Sequence, residues 1–231
     1  MTIREIIQRV QSLYSKGLHS DDTRLSRRHI YNKLITVRQR VISQEVKKRQ
    51  KISQWNYQPI KCIEMVEIPL VDCPCVPPIG CFILRSKYQI PSVMVDMDKH
   101  IIQSVTSLDS SITYDPNDWH TIKYNSGNKF TSKKVNYFIR DKYLYLNTTK
   151  KPEIITMTAL FEDPIAVYNY PSCCDTIKAQ CKTIIDEEFP ADGSLIDSII
   201  ELSVLELLDW FTKSREDLTN TSTDSIGNES K

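Results

Sequence analysis

The chain changes its hydrophobic rhythm twice. Ile3, Ile6, Ile7, Val10, Leu13 and Tyr14 recur at helical spacing, which predicts an amphipathic helix over residues 2–16. Gly17 suits the left-handed residue that closes such a helix. A second periodic stretch follows from Asp21 to Trp55. There Ile30, Leu34, Val37 and Val41 form one row, with Tyr31, Ile35, Ile42 and Val46 beside it. The two rows make a wide apolar stripe. Asp21, Asp22 and Thr23 offer N-cap oxygens, and acids suit the positive end of a helix. Neither Gly nor Pro occurs from Asp21 to Gln58. The expectation is one helix of about 30 residues, roughly 45 Å long, which needs neighbours along its length.

Past Gln54 the apolar runs shorten and turn residues separate them. Strands are predicted over residues 63–70, 81–85, 101–108, 112–114, 119–124, 135–139, 143–147 and 154–161. Residues 72–80 read DCPCVPPIG and are irregular, because their three prolines fix φ and remove donors. Residues 91–99 read as loop, and Arg140-Asp141-Lys142 as a hairpin turn. Helical rhythm returns at Ser194–Lys213, with Ser194 as the cap and Asp197 placed as in a capping box. Residues 173–186 suit a short helix or a loop. The helix 194–213 is apolar on nearly every side, which predicts burial among partners, the two N-terminal helices first.

The expected fold is therefore α+β. N-terminal helices and a C-terminal helix form a bundle, and an antiparallel β-sandwich or barrel-like domain is inserted between them. The expected divisions are 1–56, 57–170, 171–213 and a polar, acidic tail at 214–231, disordered in isolation.

Charge sharpens this picture. The net charge is only +1, but residues 1–53 hold 13 Lys and Arg against four acids, and residues 184–231 hold three against 12. A basic end suits nucleic acid, an acidic partner, or the acidic end of a neighbouring copy. The residues expected to carry such contacts are Arg24, Arg27, Arg28, Arg38, Arg40, Lys47, Lys48 and Arg49, with Leu218 and Ile226 in the tail. On DNA these cations would meet phosphates and give salt-sensitive, sequence-blind binding. The wide apolar stripe instead suits a bundle helix with a basic outer face.

Little points to chemistry. None of the five glycines builds a phosphate-cradling loop, and the four histidines fit no HExxH pattern. Glu187-Glu188 is an adjacent acidic pair; as the acids of a cell-wall hydrolase it is the third reading, behind a structural and a nucleic-acid-binding one. Cys73, Cys75 and Cys81 form one group, and Cys173, Cys174 and Cys181 another. Thiolates from two loops can build a zinc site, but the CxxC knuckle spacing is missing, so small buried apolar side chains are expected. No cofactor is expected. Seven cysteines, an odd number, argue against a complete disulfide framework and for synthesis in a reducing cytosol. No run approaches the ~20 apolar residues of a membrane span.

Several stretches carry a resemblance: SLYSKG at 12–17, DDTRLSRRHIYNKLITVRQRVISQE at 21–45, KISQWNYQ at 51–58, CPCVPPIGC at 73–81, TSKKVNYFIRDKYLYL at 131–146, TALFEDP at 158–164 and EEFP at 187–190. Together they resemble the head-to-tail connector (adaptor, or ring) proteins of crAss-like, podovirus-type tailed phages. The resemblance covers nearly the whole chain. It implies a homo-oligomeric ring, usually of twelve subunits, that sits below the portal in the virion, with double-stranded DNA passing through it. It also implies the portal and other ring or tail proteins as partners, production in the bacterial host cytoplasm, and no catalytic motif. The portal-proximal ring is the expected position.

Overall fold

A computed structural model of the chain describes residues 1–17, 25–48, 51–69, 82–118, 135–148, 151–171 and 184–220. The helices among them are α1 (Ile3–Tyr14), α2 (Arg27–Lys47), α3 (Pro164–Tyr168) and α4 (Gly193–Asn220). The strands are β1 (Gln58–Pro69), β2 (Phe82–Ser86), β3 (Val95–Asp96), β4 (Lys99–His100), β5 (Ile102–Ser107), β6 (Thr113–Pro116), β7 (Asn136–Arg140), β8 (Tyr143–Asn147) and β9 (Ile154–Ala159). The fold is α+β, as the patterning predicts. The chain divides into two compact units, one made of Met1–Ile52 with Ile185–Lys231 and the other of Ser53–Ile184.

The first unit is a bundle of α1, α2 and α4, which pack pairwise. In α1, Thr2 Oγ1 accepts from the Glu5 N–H and Glu5 Oε2 accepts from the Thr2 N–H, so a capping box satisfies both amides. Ile3, Ile6, Ile7 and Val10 are buried on one face. Gly17 adopts φ +77° and donates to the Ser12 carbonyl, closing the helix as its sequence suggests. The chain start also pairs with the stretch before α4. Ile3 N donates to Glu187 O and Phe189 N to Met1 O, both at 3.0 Å.

Both long helices depart from expectation at their ends. α2 starts at Arg27, capped by Ser26, whose Oγ accepts from the His29 N–H. Its 21 residues span roughly 32 Å rather than 45 Å. The expected caps Asp21, Asp22 and Thr23 lie outside the described residues, and the terminus they were expected to cap is Ser26's. In α4 the cap is Asp192, not Ser194: the Asp192 carboxylate accepts from the Ser194 N–H at 3.0 Å. Asp is as good a cap as Ser, and here it lies just before the first helical turn. At its other end α4 runs to Asn220, so residues 214–220 of the expected disordered tail are helical. Arg, Glu and Leu there are good helix formers, and no Gly or Pro intervenes to stop the helix. Residues 221–231 lie outside the described residues.

The second unit is a closed barrel with strand order β1-β2-β8-β7-β6-β5-β9, β9 returning to β1. All its pairs are antiparallel except β6 with β7, which run parallel at Asp115–Asn136 and Pro116–Tyr137. β1, 12 residues long, pairs with β9 through Gln58–Glu64 and with β2 through Met65–Pro69, and it contains a bulge. Ile60 faces Met157 and Ile63 faces Ile155, leaving one extra residue on β1. Cys62 takes up that residue at φ +58°, is buried, and is disulfide-bonded. The bulge shifts the inward set from Gln58 and Ile60 to Ile63 and Met65, which lets one strand turn the barrel corner. Inside, Ile63, Val105, Leu144, Ile155, Met157 and Phe161 form the core. On the other side of β7 and β8, Phe138 and Tyr145 stack at 5.0 Å and are buried as well.

The stretch 91–99, expected as loop, contains β3 and the start of β4, a hairpin of two residues a side. Its turn residues Met97 and Asp98 have φ +44° and +65°. Neither is Gly or Asn, and strands this short show no alternation, so the pattern gives no sign of it. The predicted strand 119–124 lies outside the described residues.

Candidate interaction surface

Chemistry at the surface of the helical unit starts from α2. Ile30, Leu34, Val37, Val41 and Ile42 face the core, and so does Arg38, whose exposure is 0%. Arg38 stands four residues from both Leu34 and Ile42, in the middle of the apolar row. Its Nε donates to the Pro190 carbonyl at 2.9 Å. Arg38 is thus a strut of the bundle interior and is not at the surface where the charge pattern placed it. Arg27, Arg28, Arg40, Lys47 and Lys48 are exposed. Arg24, Arg49 and Ile226 lie outside the described residues, and Leu218 lies on the last turns of α4.

The charge contrast between the two sequence regions is partly used inside the bundle. Arg4 pairs with Asp186 at 2.8 Å and Arg9 with Asp197 at 2.9 Å. Lys33 and Arg40 both pair with Glu206 of α4. Glu206 is held below the usual carboxylate range, first by the hydrogen bond from Lys33 and then by Arg40, against the opposing effect of burial. Lys33 is a cation that the charge pattern alone does not single out. The signal for it is spacing: Lys33, Arg40 and Lys47 stand seven residues apart, on one line of the helix.

Charge of the opposite kind and a set of apolar side chains lie on α4. Its buried side is Ile196, Ile199, Ile200, Ser203 and Leu207. The rest of this helix is not enclosed as its all-round hydrophobicity predicts: Leu202 is 38% exposed, Leu205 61% and Leu208 39%. Glu201 and Asp209 are exposed among them. Three helices give α4 neighbours on one side only, which leaves a leucine row on the other. Trp210, also exposed, packs its ring against His29 at 5.4 Å.

In the barrel unit, two clefts share His100 and Ile139; the larger, about 470 Å³, is also lined by Tyr137, Asn117 and Asp118. Burial lowers the His100 pKa, and burial with nearby Asp115 pushes Tyr137 up to about 12. At neutral pH both side chains are therefore uncharged. In the helical unit, Glu187 and Glu188 stand where the chain start pairs with the stretch before α4, Thr2 opposite Glu188. The six cysteines considered for zinc, Cys73, Cys75, Cys81, Cys173, Cys174 and Cys181, lie outside the described residues. Among the described residues no cluster of metal-ligating side chains occurs, and no helix is long and apolar enough to cross a membrane.

Comparison with known proteins gives this surface a context. Residues 5–226 match the family described as phage tail ring protein 2. The chain is 30% identical to Ring protein 2 of Bacteroides phage crAss001 over 217 residues, which covers 90% of each chain. The match runs through the bundle, the barrel and α4, so it concerns the whole architecture and not one unit. The chain belongs to the phage tail ring protein 2 family and is a structural protein of a crAss-type phage virion.

Proposed function

We propose that this chain is one subunit of a closed homo-oligomeric ring, of twelve copies, that joins the portal to the tail and surrounds the passage through which double-stranded DNA leaves the head. The reading rests on family membership over nearly the whole chain. The observation that carries it is the state of the basic helix. Arg38 is committed to the core and Arg40 to Glu206, while Arg27, Arg28 and Lys47 stay exposed. That arrangement leaves fewer cations for a phosphate backbone than the sequence count suggests, which lowers the number of phosphates the helix can neutralise. It suits a subunit whose remaining charge faces protein around a conduit. The helical unit carries the contacts to neighbours and portal, and the protein works by assembly and without catalysis.

An image reconstruction of the virion tests this. Expected is a twelve-fold ring of this chain on the particle axis, between portal and tail, with an open central channel. A position off the axis, or an arc that does not close, overturns it. Tight DNA binding by the purified chain that falls steeply with salt would favour the nucleic-acid reading instead.

A further inference from the structure

A ring built from one kind of chain needs two different surfaces per copy, because each subunit meets one neighbour with one face and the next with another. Resting on the ring reading above, we infer that these surfaces are the outer faces of α4 and α2: the leucine row of α4 in one copy docks on the outer face of α2 in a second copy.

The two faces match in kind. On α4, Leu202, Leu205 and Leu208 recur at steps of three, and Leu205 lies directly opposite the buried row. Exposed Glu201 and Asp209 flank them. On α2, half-buried Ile35 and Val46 lie along the edge of the outer face next to the buried row, and the uncharged Gln39 and Ser43, half-buried, with exposed Asn32, Thr36 and Gln44 lie farther out. Exposed Arg28 stands at one end of this strip and exposed Lys47 at the other. Each face is thus an uncharged strip that carries apolar side chains and has charge at its margins, acidic on α4 and basic on α2. Both point away from their own bundle core, so one chain cannot bring its own two faces together. The pairing is heterologous, as a ring requires.

A second observation comes from the helix dipole. Arg27 and Arg28 occupy the first turn of α2, and that turn contains no acid. Cations are disfavoured at the positive end of a helix. Among the described residues no ion pair offsets this placement, whereas an acidic face from a second copy does.

Two chains with opposite charge reversals test the interface. One carries Glu201→Arg and Asp209→Arg, the other Arg27→Glu and Arg28→Glu. Each alone sets like charges against each other at every contact, and each is expected to remain monomeric by sedimentation while keeping the wild-type helical signal. Mixed in equal amounts they alternate with opposite charges facing, and assembly returns. Recovery in the mixture also shows that both variants fold. Assembly by either variant alone, or none in the mixture when wild type assembles, overturns the interface. The second measurement uses whole virions with a photo-crosslinking residue at position 205. The expected product has twice the chain mass and is linked to residues 28–47 of a second copy. Links from position 205 to another virion protein only, in particles where the chain still forms a ring, overturn this interface and leave the ring reading standing. Virions in which no second copy lies beside the chain overturn both.

Discussion

Arg38 and Glu206 show how single charges hold the bundle. Arg38 is wholly buried and bonded to the Pro190 carbonyl. Arg38→Ala leaves a cavity and a buried acceptor short of its donor, and is expected to cost about 2–4 kcal/mol, read as a lower denaturation midpoint. Arg38→Lys is expected to restore little, since an ammonium lacks the Nε donor. Glu206 gives a pH signature. Its carboxyl lies below the ordinary glutamate value of 4.5 in the folded chain. Its contribution is therefore fully present above that value and is lost as pH falls through the lower, folded pKa. Glu206→Gln is expected to lower stability at neutral pH by about 1 kcal/mol and to flatten the acid limb of the stability–pH curve. Denaturant titrations at several pH values check both. The position of Arg38 is legible in the sequence, since it occupies the i+4 step between Leu34 and Ile42. Counting it with the other cations by charge alone puts it on the wrong side of the helix.

At the scale of elements, caps and turns can be tested one at a time. Asp192→Ala removes the acceptor for the Ser194 amide and is expected to cost about 1 kcal/mol, visible in thermal unfolding. The β7–β8 hairpin turns through Asp141 and Lys142 at φ +51° and +63°, a conformation that favours Asn-Gly. Asp141→Asn with Lys142→Gly is expected to raise stability by up to about 1 kcal/mol. No change, or a loss, would mean that the turn is held by contacts outside the hairpin. Elements with long, strong periodicity are legible in the sequence: α1, the core of α2, the β7–β8 pair and the body of α4. The short β3–β4 hairpin is not, because two-residue strands carry no alternation. The parallel β6–β7 pair is not either, because pairing direction depends on a crossover and leaves no mark in the strands themselves. Helix ends move because several residues near each terminus can cap, and packing chooses among them.

For the whole molecule, the exposed leucine row on α4 is the feature with the widest reach. Its all-round hydrophobicity is plain in the sequence, but burial within one chain is the natural expectation. Three helices cannot surround a fourth side, so the surplus apolar surface passes to assembly. Leu205→Asp is expected to leave the melting temperature of the isolated chain nearly unchanged, since the side chain is already 61% exposed, and to abolish ring formation. Sedimentation and a thermal melt on the same sample separate the two effects. Rising salt is expected to weaken self-association as the flanking charges are screened, while the leucine contact persists.

The bundle is closed by helices from either side of the barrel in sequence, so the whole barrel lies between them along the chain. During synthesis the barrel sequence is complete before α4 has been made. α1 and α2 can pack on each other, but the side of their core that α4 covers stays open until the last helix arrives. A chain cut short by premature termination lacks both its own core partner and the acidic, leucine-bearing face. On the interface inferred above, such a chain is expected to stay out of the ring, so the fold itself would restrict incorporation to chains read through to α4.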